Sequence, residues 1–319
     1  MSEVGISAIG AAVPQKILTN SDLEKMVETS DEWIVSRTGI RERHILDKGE
    51  GITPLVVESA KMACERGKFN PEELDFVISA TLTPDRISPA QACEVAHHLQ
   101  ANHAFCFDLN AACSGFIFGL ATADSLLKTR NIKYGLVTAG EQLTRTVDYS
   151  DRTSCVLFGD ASAAALLTND HPEHLILYTE LGSDPSMANE VTIGGVRNLL
   201  DDQLSDYYFK QNGKVVFKFA VNKMKELYEI VPQKVGLKPE QIKYVIPHQA
   251  NIRIIESAAK EIVSHNTVVI SNIERYGNTS SASIGVAFNE SWERFQKGDY
   301  IMLIGFGGGL SWGAALLQW

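Results

Sequence analysis

Short apolar runs rich in β-branched residues alternate along this chain with longer stretches in which apolar residues return every three to four positions. That alternation is the signature of strands connected by helices in a layered α/β fold. Residues 4–18 predict a first strand, opening Val4-Gly-Ile-Ser-Ala-Ile-Gly and ending at Pro14, and Thr19-Asn-Ser-Asp supplies cap oxygens for a helix start. The pattern then predicts an amphipathic helix over 53–66, a strand over 74–80, a polar loop over 81–88, a helix over 90–99 and a strand over 134–141. The stretch 151–167 closes a first half. Residues 169–216 predict short strands and polar turns that cover a pocket.

The second half repeats the first in outline. Leu74–Pro84 (LDFVISATLTP) resembles Ile242–Ile252 (IKYVIPHQANI), and the stretch from Phe158 resembles the stretch from Phe306. The two pairs lie at unequal offsets, so the repeat is one of architecture with insertions. A duplicated α/β unit predicts two pseudo-symmetric halves, 1–170 and 171–319, with a site between them.

Residues 105–127 concentrate the candidate chemistry. A short apolar strand runs into small residues and then into Phe116, Phe118, Leu120, Ala121 and Leu127 at the spacing of a buried helix. Cys113 therefore sits at a strand-to-helix turn, where unpaired backbone N–H groups and the helix dipole favour a thiolate and can hold an oxyanion. A buried structural cysteine fits the same apolar stretch. Trp33 and Arg37, four apart, share one helix face and suit either a nucleobase with its phosphates or simple packing of Trp under a solvated Arg. Between Lys210 and Lys225 stand five lysines and no acid, a local positive surface or a solvated helix face.

Composition narrows the classes. The chain has 319 residues, 45% hydrophobic and 21% charged, as an ordinary globular protein does. No stretch approaches a membrane span, and the N-terminus lacks a basic leader followed by an apolar core, so a cytoplasmic location is expected. Five cysteines without a CxxC pair indicate neither a zinc knuckle nor a disulfide framework. A formal charge of −10 argues against general nucleic-acid binding.

Three further motifs bear on Cys113. Pro247-His-Gln-Ala-Asn places His248 just past a strand end, Arg275-Tyr-Gly-Asn-Thr-Ser places Asn278 in a glycine-flanked turn, and Phe306-Gly-Gly-Gly lets backbone N–H groups approach a ligand. Each alone also fits a bland role: a satisfied core histidine, a turn former, close packing. Together, a thiol, a base-capable ring, a neutral amide and a glycine run point to acyl chemistry.

These motifs, with Ala111-Ala-Cys-Ser-Gly-Phe, Asp31-Glu-Trp-Ile and Arg37-Thr-Gly-Ile, make the chain similar to the β-ketoacyl-acyl-carrier-protein synthases III of the thiolase-like superfamily. The resemblance implies a duplicated thiolase-like fold layered α-β-α-β-α. It implies an acyltransferase that loads Cys113 from acyl-coenzyme A, with the Cys113 and Gly308 N–H groups as oxyanion hole. His248 and Asn278 would then stabilise the enolate formed as malonyl-acyl carrier protein loses carbon dioxide. It further implies coenzyme A contacts at Trp33, Arg37, Arg152 and Asn251, with Trp33 and Arg152 sandwiching the adenine. Carrier-protein contacts fall at Lys214, Arg253 and Lys260. The implied state is a homodimer whose loop near Ile87 reaches the partner's pocket; coenzyme A thioester is a substrate, and no metal or resident cofactor is called for. Residues 81–90 and 185–208 are expected to shape the acyl pocket, and Gln211 stands where the family commonly has a methionine. A specialised acyltransferase of secondary metabolism is the nearest alternative. A cysteine hydrolase shares the Cys, His, Asn order but not the buried helix after Cys113 or the duplication, and a non-enzymatic scaffold would not need all three residues.

Overall fold

The computed structural model describes residues 3–195, 207–262 and 267–319. Ten strands form one mixed sheet: β1 (Gly5–Ala12), β2 (Phe76–Ala80), β3 (Phe105–Leu109), β4 (Tyr134–Glu141), β5 (Ala161–Thr168), β6 (Leu175–Ser183), β7 (Ile242–Pro247), β8 (Val268–Val269), β9 (Tyr300–Gly307) and β10 (Ser311–Gln318). Their order is β8-β7-β9-β10-β6-β1-β5-β4-β2-β3. Read outward from the centre, the two halves have the same strand order and the same parallel and antiparallel pairings. They meet at the single registered pair Gly5↔Leu175. The two sequence resemblances fall on equivalent strands, β2 with β7 and β5 with β10.

Helices fill the layers in the same duplicated way. In the first half they are α1 (Asp31–Thr38), α2 (Thr53–Arg66), α3 (Gln91–His98) and α4 (Gly115–Thr129); in the second, α5 (Gly213–Gln233), α6 (Ile252–Ile262) and α7 (Ala282–Ser291). Phe116, Ile117 and Leu120 of α4 and Ile284 and Phe288 of α7 share one core with Phe76, Ile78, Ile301 and Leu303 from both half-sheets. The opposite faces of those strands, through Val77 and Met302, pack on α2 and α3 or on α5 and α6. This is the five-layer arrangement. Because both faces of the sheet are covered, its strands read as continuous apolar runs. Full burial of the α4 side chains stabilises the centre by roughly 1.5–3 kcal/mol each.

Local signals explain the boundaries. Thr19 caps a short helical turn through a reciprocal box with Asp22, and Ser30 caps α1 through its bond from Trp33 N. Two expectations need correction. The first strand stops at Ala12, ahead of Pro14, and Ile17–Thr19 turns off to pair with Glu42–His44. Residues 169–216 are not only short strands and turns, since Leu175–Ser183 is a full central strand held on both sides by β10 and β1. Among the described residues no helix is long and apolar enough to cross a membrane.

β1 lies so close to α2 that a Cβ on Gly10 would collide with the Ser59 carbonyl oxygen and stand 2.6 Å from Ala63 N. These are backbone atoms of a buried helix, which cannot swing aside. Gly10→Ala is expected to destabilise the fold by about 1–3 kcal/mol, read as a lowered urea midpoint; an unchanged midpoint would show that the two elements can separate freely.

Candidate active site

The loops that leave β3, β7, β8 and β9 converge on a cavity of about 610 Å3, lined among others by Cys113, His248, Asn278, Gly307 and Gly308. Leu143, Phe158, Val191, Ile193 and Phe209 give it an apolar wall. Location beyond the carboxyl ends of strands is where α/β sheets leave room for ligands. Of the stretches expected to shape an acyl pocket, Leu82, Ala188 and residues 191–195 line this cavity; residues 196–206 lie outside the described residues.

Cys113 lies in a single helical turn, Ala112–Ser114, that leads directly into α4. Ser114 and Ser311 tie this turn to the glycine run: their hydroxyls meet at 2.7 Å, and Ser311 Oγ donates to Ala111 O or to Gly308 O. A Cβ on Gly307 would sit 2.7 Å from Cys113 N, so only glycine admits this approach of β9. The thiol itself departs from the expectation of a thiolate near neutral pH. Burial pushes it up to about 12, a hydrogen bond from Ser280 acts downward, and the nearby Glu141 carboxylate pushes it further up. A helix start thus does not by itself decide the protonation state, because desolvation by the surrounding core outweighs it.

His248 is buried and follows β7, its N–H donating to Ile304 O at 2.8 Å. Desolvation holds its ring neutral, with the pKa lowered to about 3. Its Nδ1 lies 2.6 Å from Ser283 Oγ, which also accepts from Gln249 N at 3.3 Å. When the Ser283 hydrogen points to Nδ1, the ring proton stands on Nε2. Asn278 is clamped by main-chain bonds to Leu157 O and from Gly159 N. Its Oδ1 accepts from Ser280 N at 2.9 Å, which leaves the Nδ2 hydrogens for the cavity.

Three contributors were not legible in the sequence. Glu141, at the end of β4, is fully buried, and burial raises its carboxyl to about 6. Ser280, in left-handed backbone with φ +52°, lies between Glu141 and Cys113. Ser283 orients His248. A run of serines before a helix of small residues was the available signal, but it carries no direction for the hydroxyls.

The other expected site residues lie away from this cavity wall. The Arg152 guanidinium lies over the Trp33 ring at 5.1 Å and donates to Glu28 O. Arg37 is exposed in the last turn of α1. Asn251 donates to Arg37 O and accepts from Arg253 N, and Arg253 Nε donates to Ser36 O, so these two join α6 to α1. Lys214 and Lys260 are exposed. The lysine-rich stretch is less uniform than expected: Lys223 lies over the Trp312 ring at 4.0 Å and pairs with Glu226. Gln211 lines the cavity on a two-stranded ribbon with Val191. Among the described residues no cluster of three His, Cys, Asp or Glu is placed to hold a metal.

Comparison with known proteins agrees with the geometry. Residues 107–185 match the family model described as 3-oxoacyl-[acyl-carrier-protein] synthase III, and residues 233–319 the one described as its C terminal. The chain is 43% identical to the β-ketoacyl-[acyl-carrier-protein] synthase III of Desulfitobacterium hafniense strain Y51, covering 100% of this chain and 98% of that one. Against the crystal structure of the Aquifex aeolicus VF5 3-oxoacyl-[acyl-carrier-protein] synthase III it gives a TM-score of 0.91 at 42% identity, covering 99% and 100% of the two chains. The priming β-ketosynthase of the R1128 polyketide pathway gives 0.93 at 30% identity, covering 99% and 96%. With relatives of this identity along its whole length, the chain belongs to the β-ketoacyl-acyl-carrier-protein synthase III family.

Proposed function

We propose that this protein condenses a short acyl group, taken from acyl-coenzyme A, with malonyl-acyl carrier protein, giving β-ketoacyl-carrier protein, carbon dioxide and coenzyme A and so initiating fatty acid biosynthesis. The observation that carries this reading is the convergence of Cys113, His248 and Asn278 with the Gly307–Gly308 backbone on one cavity. In the first step the Cys113 sulfur attacks the thioester carbonyl, and the N–H groups of Cys113 and Gly308 receive the developing oxyanion. In the second, His248 Nε2–H and Asn278 Nδ2–H donate to the malonyl thioester oxygen while carbon dioxide leaves, and the enolate carbon attacks the acyl-cysteine. A neutral His and an amide suit this task, since a carboxylate at 278 would repel the enolate.

The outer residues fit the substrates. Trp33 with Arg152 is a stacking site for adenine, and Arg37 lies on the same helix for phosphates. A ring between them needs roughly 7 Å, two van der Waals gaps, so the exposed Arg152 must swing outward from its 5.1 Å position. Asn251 contributes by holding Arg37 in place rather than through a free amide. Lys214, Arg253 and Lys260 present positive charge to an acidic carrier protein. A homodimer is part of this proposal: β3 is an edge strand with Phe105 39% exposed, and Ile87 is 82% exposed. An uncovered apolar edge invites pairing with a second copy. The five cysteines, all unpaired, suit a reducing cytoplasm. Likeness to a priming ketosynthase keeps a specialised product as the second reading.

Intact-protein mass spectrometry after mixing with acetyl-, isobutyryl- or octanoyl-coenzyme A, followed by malonyl-acyl carrier protein, tests the core reading. A short acyl group is expected to load and then disappear into β-ketoacyl-carrier protein; an acyl-enzyme that malonyl-carrier protein leaves untouched favours the specialised acyltransferase. Cys113→Ala is expected to abolish loading. His248→Ala is expected to load normally but to decarboxylate malonyl-carrier protein about 10²–10³-fold more slowly, and full-rate decarboxylation would remove the enolate role. With its pKa lowered to about 3, His248 remains a neutral donor as pH falls through the ordinary histidine range. Decarboxylation by preloaded enzyme should therefore show no histidine inflection near pH 6.5, and a loss of rate there that disappears in His248→Gln would overturn the assignment.

A further inference from the structure

Glu141 is a fully buried carboxylate that the condensation described above leaves unused. Among the described residues its hydrogen-bond partners are neutral: Thr83 Oγ1 at 2.6 Å, Leu82 N at 3.2 Å and Thr81 Oγ1 at 3.4 Å reach Oε2, while Ser281 Oγ at 2.9 Å and Ser280 Oγ at 3.3 Å reach Oε1. A buried carboxylate without a cation is costly, and such a group persists where its charge has a use. Ser280 Oγ is also 3.4 Å from Cys113 Sγ. Among the described residues it is the side-chain hydroxyl at hydrogen-bond distance from both the nucleophile and the buried acid.

A serine has one hydroxyl hydrogen and can give it to only one of these neighbours. When that hydrogen points to Oε1, the thiol S–H can point to Oγ, and a continuous path Sγ–H to Oγ–H to Oε1 is formed. Ser280 is held in this bridging position by backbone that few non-glycine residues adopt, with φ +52°, and by its N–H bond to Asn278 Oδ1. His248 is the other candidate acceptor, but its Nδ1 is engaged by Ser283, and among the described residues Sγ has its side-chain hydrogen bond with Ser280.

We propose that Ser280 and Glu141 form a proton relay that accepts the Cys113 thiol proton during acylation. As the Sγ–carbon bond forms, the thiol proton passes to Ser280 Oγ and the Ser280 proton passes to Glu141. As the carbon–sulfur bond to coenzyme A breaks, the proton returns through Ser280 to the departing sulfur, and Glu141 ends the half-reaction ionised as it began. No oxidant or external base is needed. The relay answers the difficulty posed by a thiol pushed up to about 12: it removes the proton in concert with attack, so a standing thiolate is unnecessary. Glu141 works through Ser280, so it is a positioning and proton-holding residue rather than one in contact with substrate. The titratable group that acts on it directly is the Cys113 thiol; Asp85, beside the adjoining Gln142, is tied to Ile52 N and Thr53 N.

This proposal rests on Cys113 being the acylated nucleophile, and the test separates the two. Acyl loading of the full-length protein from acetyl-coenzyme A is followed by quenched mass spectrometry from pH 5 to 9, for wild type, Ser280→Ala and Glu141→Gln, with circular dichroism on each. Wild type should gain loading rate as pH rises through about 6, where Glu141 ionises. Ser280→Ala should load roughly 10²-fold more slowly at pH 7 and lose that rise. Glu141→Gln should lose the same rise and also alkylate faster with iodoacetamide, since removing a nearby negative charge eases ionisation of the thiol. A purely structural or electrostatic Glu141 would predict faster alkylation and equal or faster loading. Wild-type loading by folded Ser280→Ala overturns the relay alone, even if Glu141→Gln fails to fold; absence of loading in wild type overturns the nucleophile assignment and the relay together.

Discussion

The close approach of Gly307 to the backbone of Cys113 is the constraint on which the site depends. Cys113 belongs to the first half and the glycine run to the second, and their contact admits no side chain. It brings the two N–H groups proposed as oxyanion donors from opposite halves of the duplication into one place. The serine pair Ser114 and Ser311 fixes that contact by hydrogen bonding across it. A displacement between the halves of even a few tenths of an ångström would spoil donor geometry while leaving each half-sheet intact. The shared central core of α4, α7 and both half-sheets is therefore as much a part of the site as the residues that line it.

Duplication also explains where the chemistry lies. Equivalent strands end at equivalent levels, so each half offers three loops: after β2, β3 and β4 in one, and after β7, β8 and β9 in the other. Cys113 follows β3 and Asn278 follows its counterpart β8; His248 follows β7, where the first half has Thr81 and Thr83; Glu141 ends β4, where the second half has Gly307. Two copies of one scaffold have thus diverged into complementary roles. The first half supplies the proposed nucleophile and a buried carboxylate with its threonine ligands. The second supplies neutral donors and open backbone. A negative charge is kept on the side of the thiol proton and away from the side where the enolate would form.

The parts legible in the sequence are those set by local chemistry. Helix α2 runs over Thr53–Arg66 and β4 over Tyr134–Glu141, as periodicity and turn residues dictate. The turn at Cys113 follows from small residues between an apolar strand and an apolar helix. What failed depended on distant partners. The sequence pattern carries the first strand on to Pro14, whereas the ladder with β5 stops at Ala12; β6 is hidden by its mixed pattern, which arises because only part of it is buried. The upward push on the Cys113 thiol was hidden for the same reason, since the helix start is visible in sequence and the surrounding core is not. Glu141 reads in sequence as the polar last residue of a strand and in the fold is a group without access to water.

Burial of this order carries a physical cost that must be balanced within the site. His248, Glu141 and Cys113 are each displaced toward the neutral form by desolvation. Apart from the Glu141 carboxylate, a site built in this way stores little charge before substrate arrives, and strengthens every hydrogen bond aimed at charge that develops later. The donors proposed on His248 and Asn278 would then act on an enolate in a medium that screens them weakly. The same medium makes a free thiolate expensive, so nucleophilicity has to come from coupled proton removal. Low dielectric for the enolate step and a protonated resting thiol are two consequences of one choice, and a polar bridge from Sγ to a buried carboxylate reconciles them.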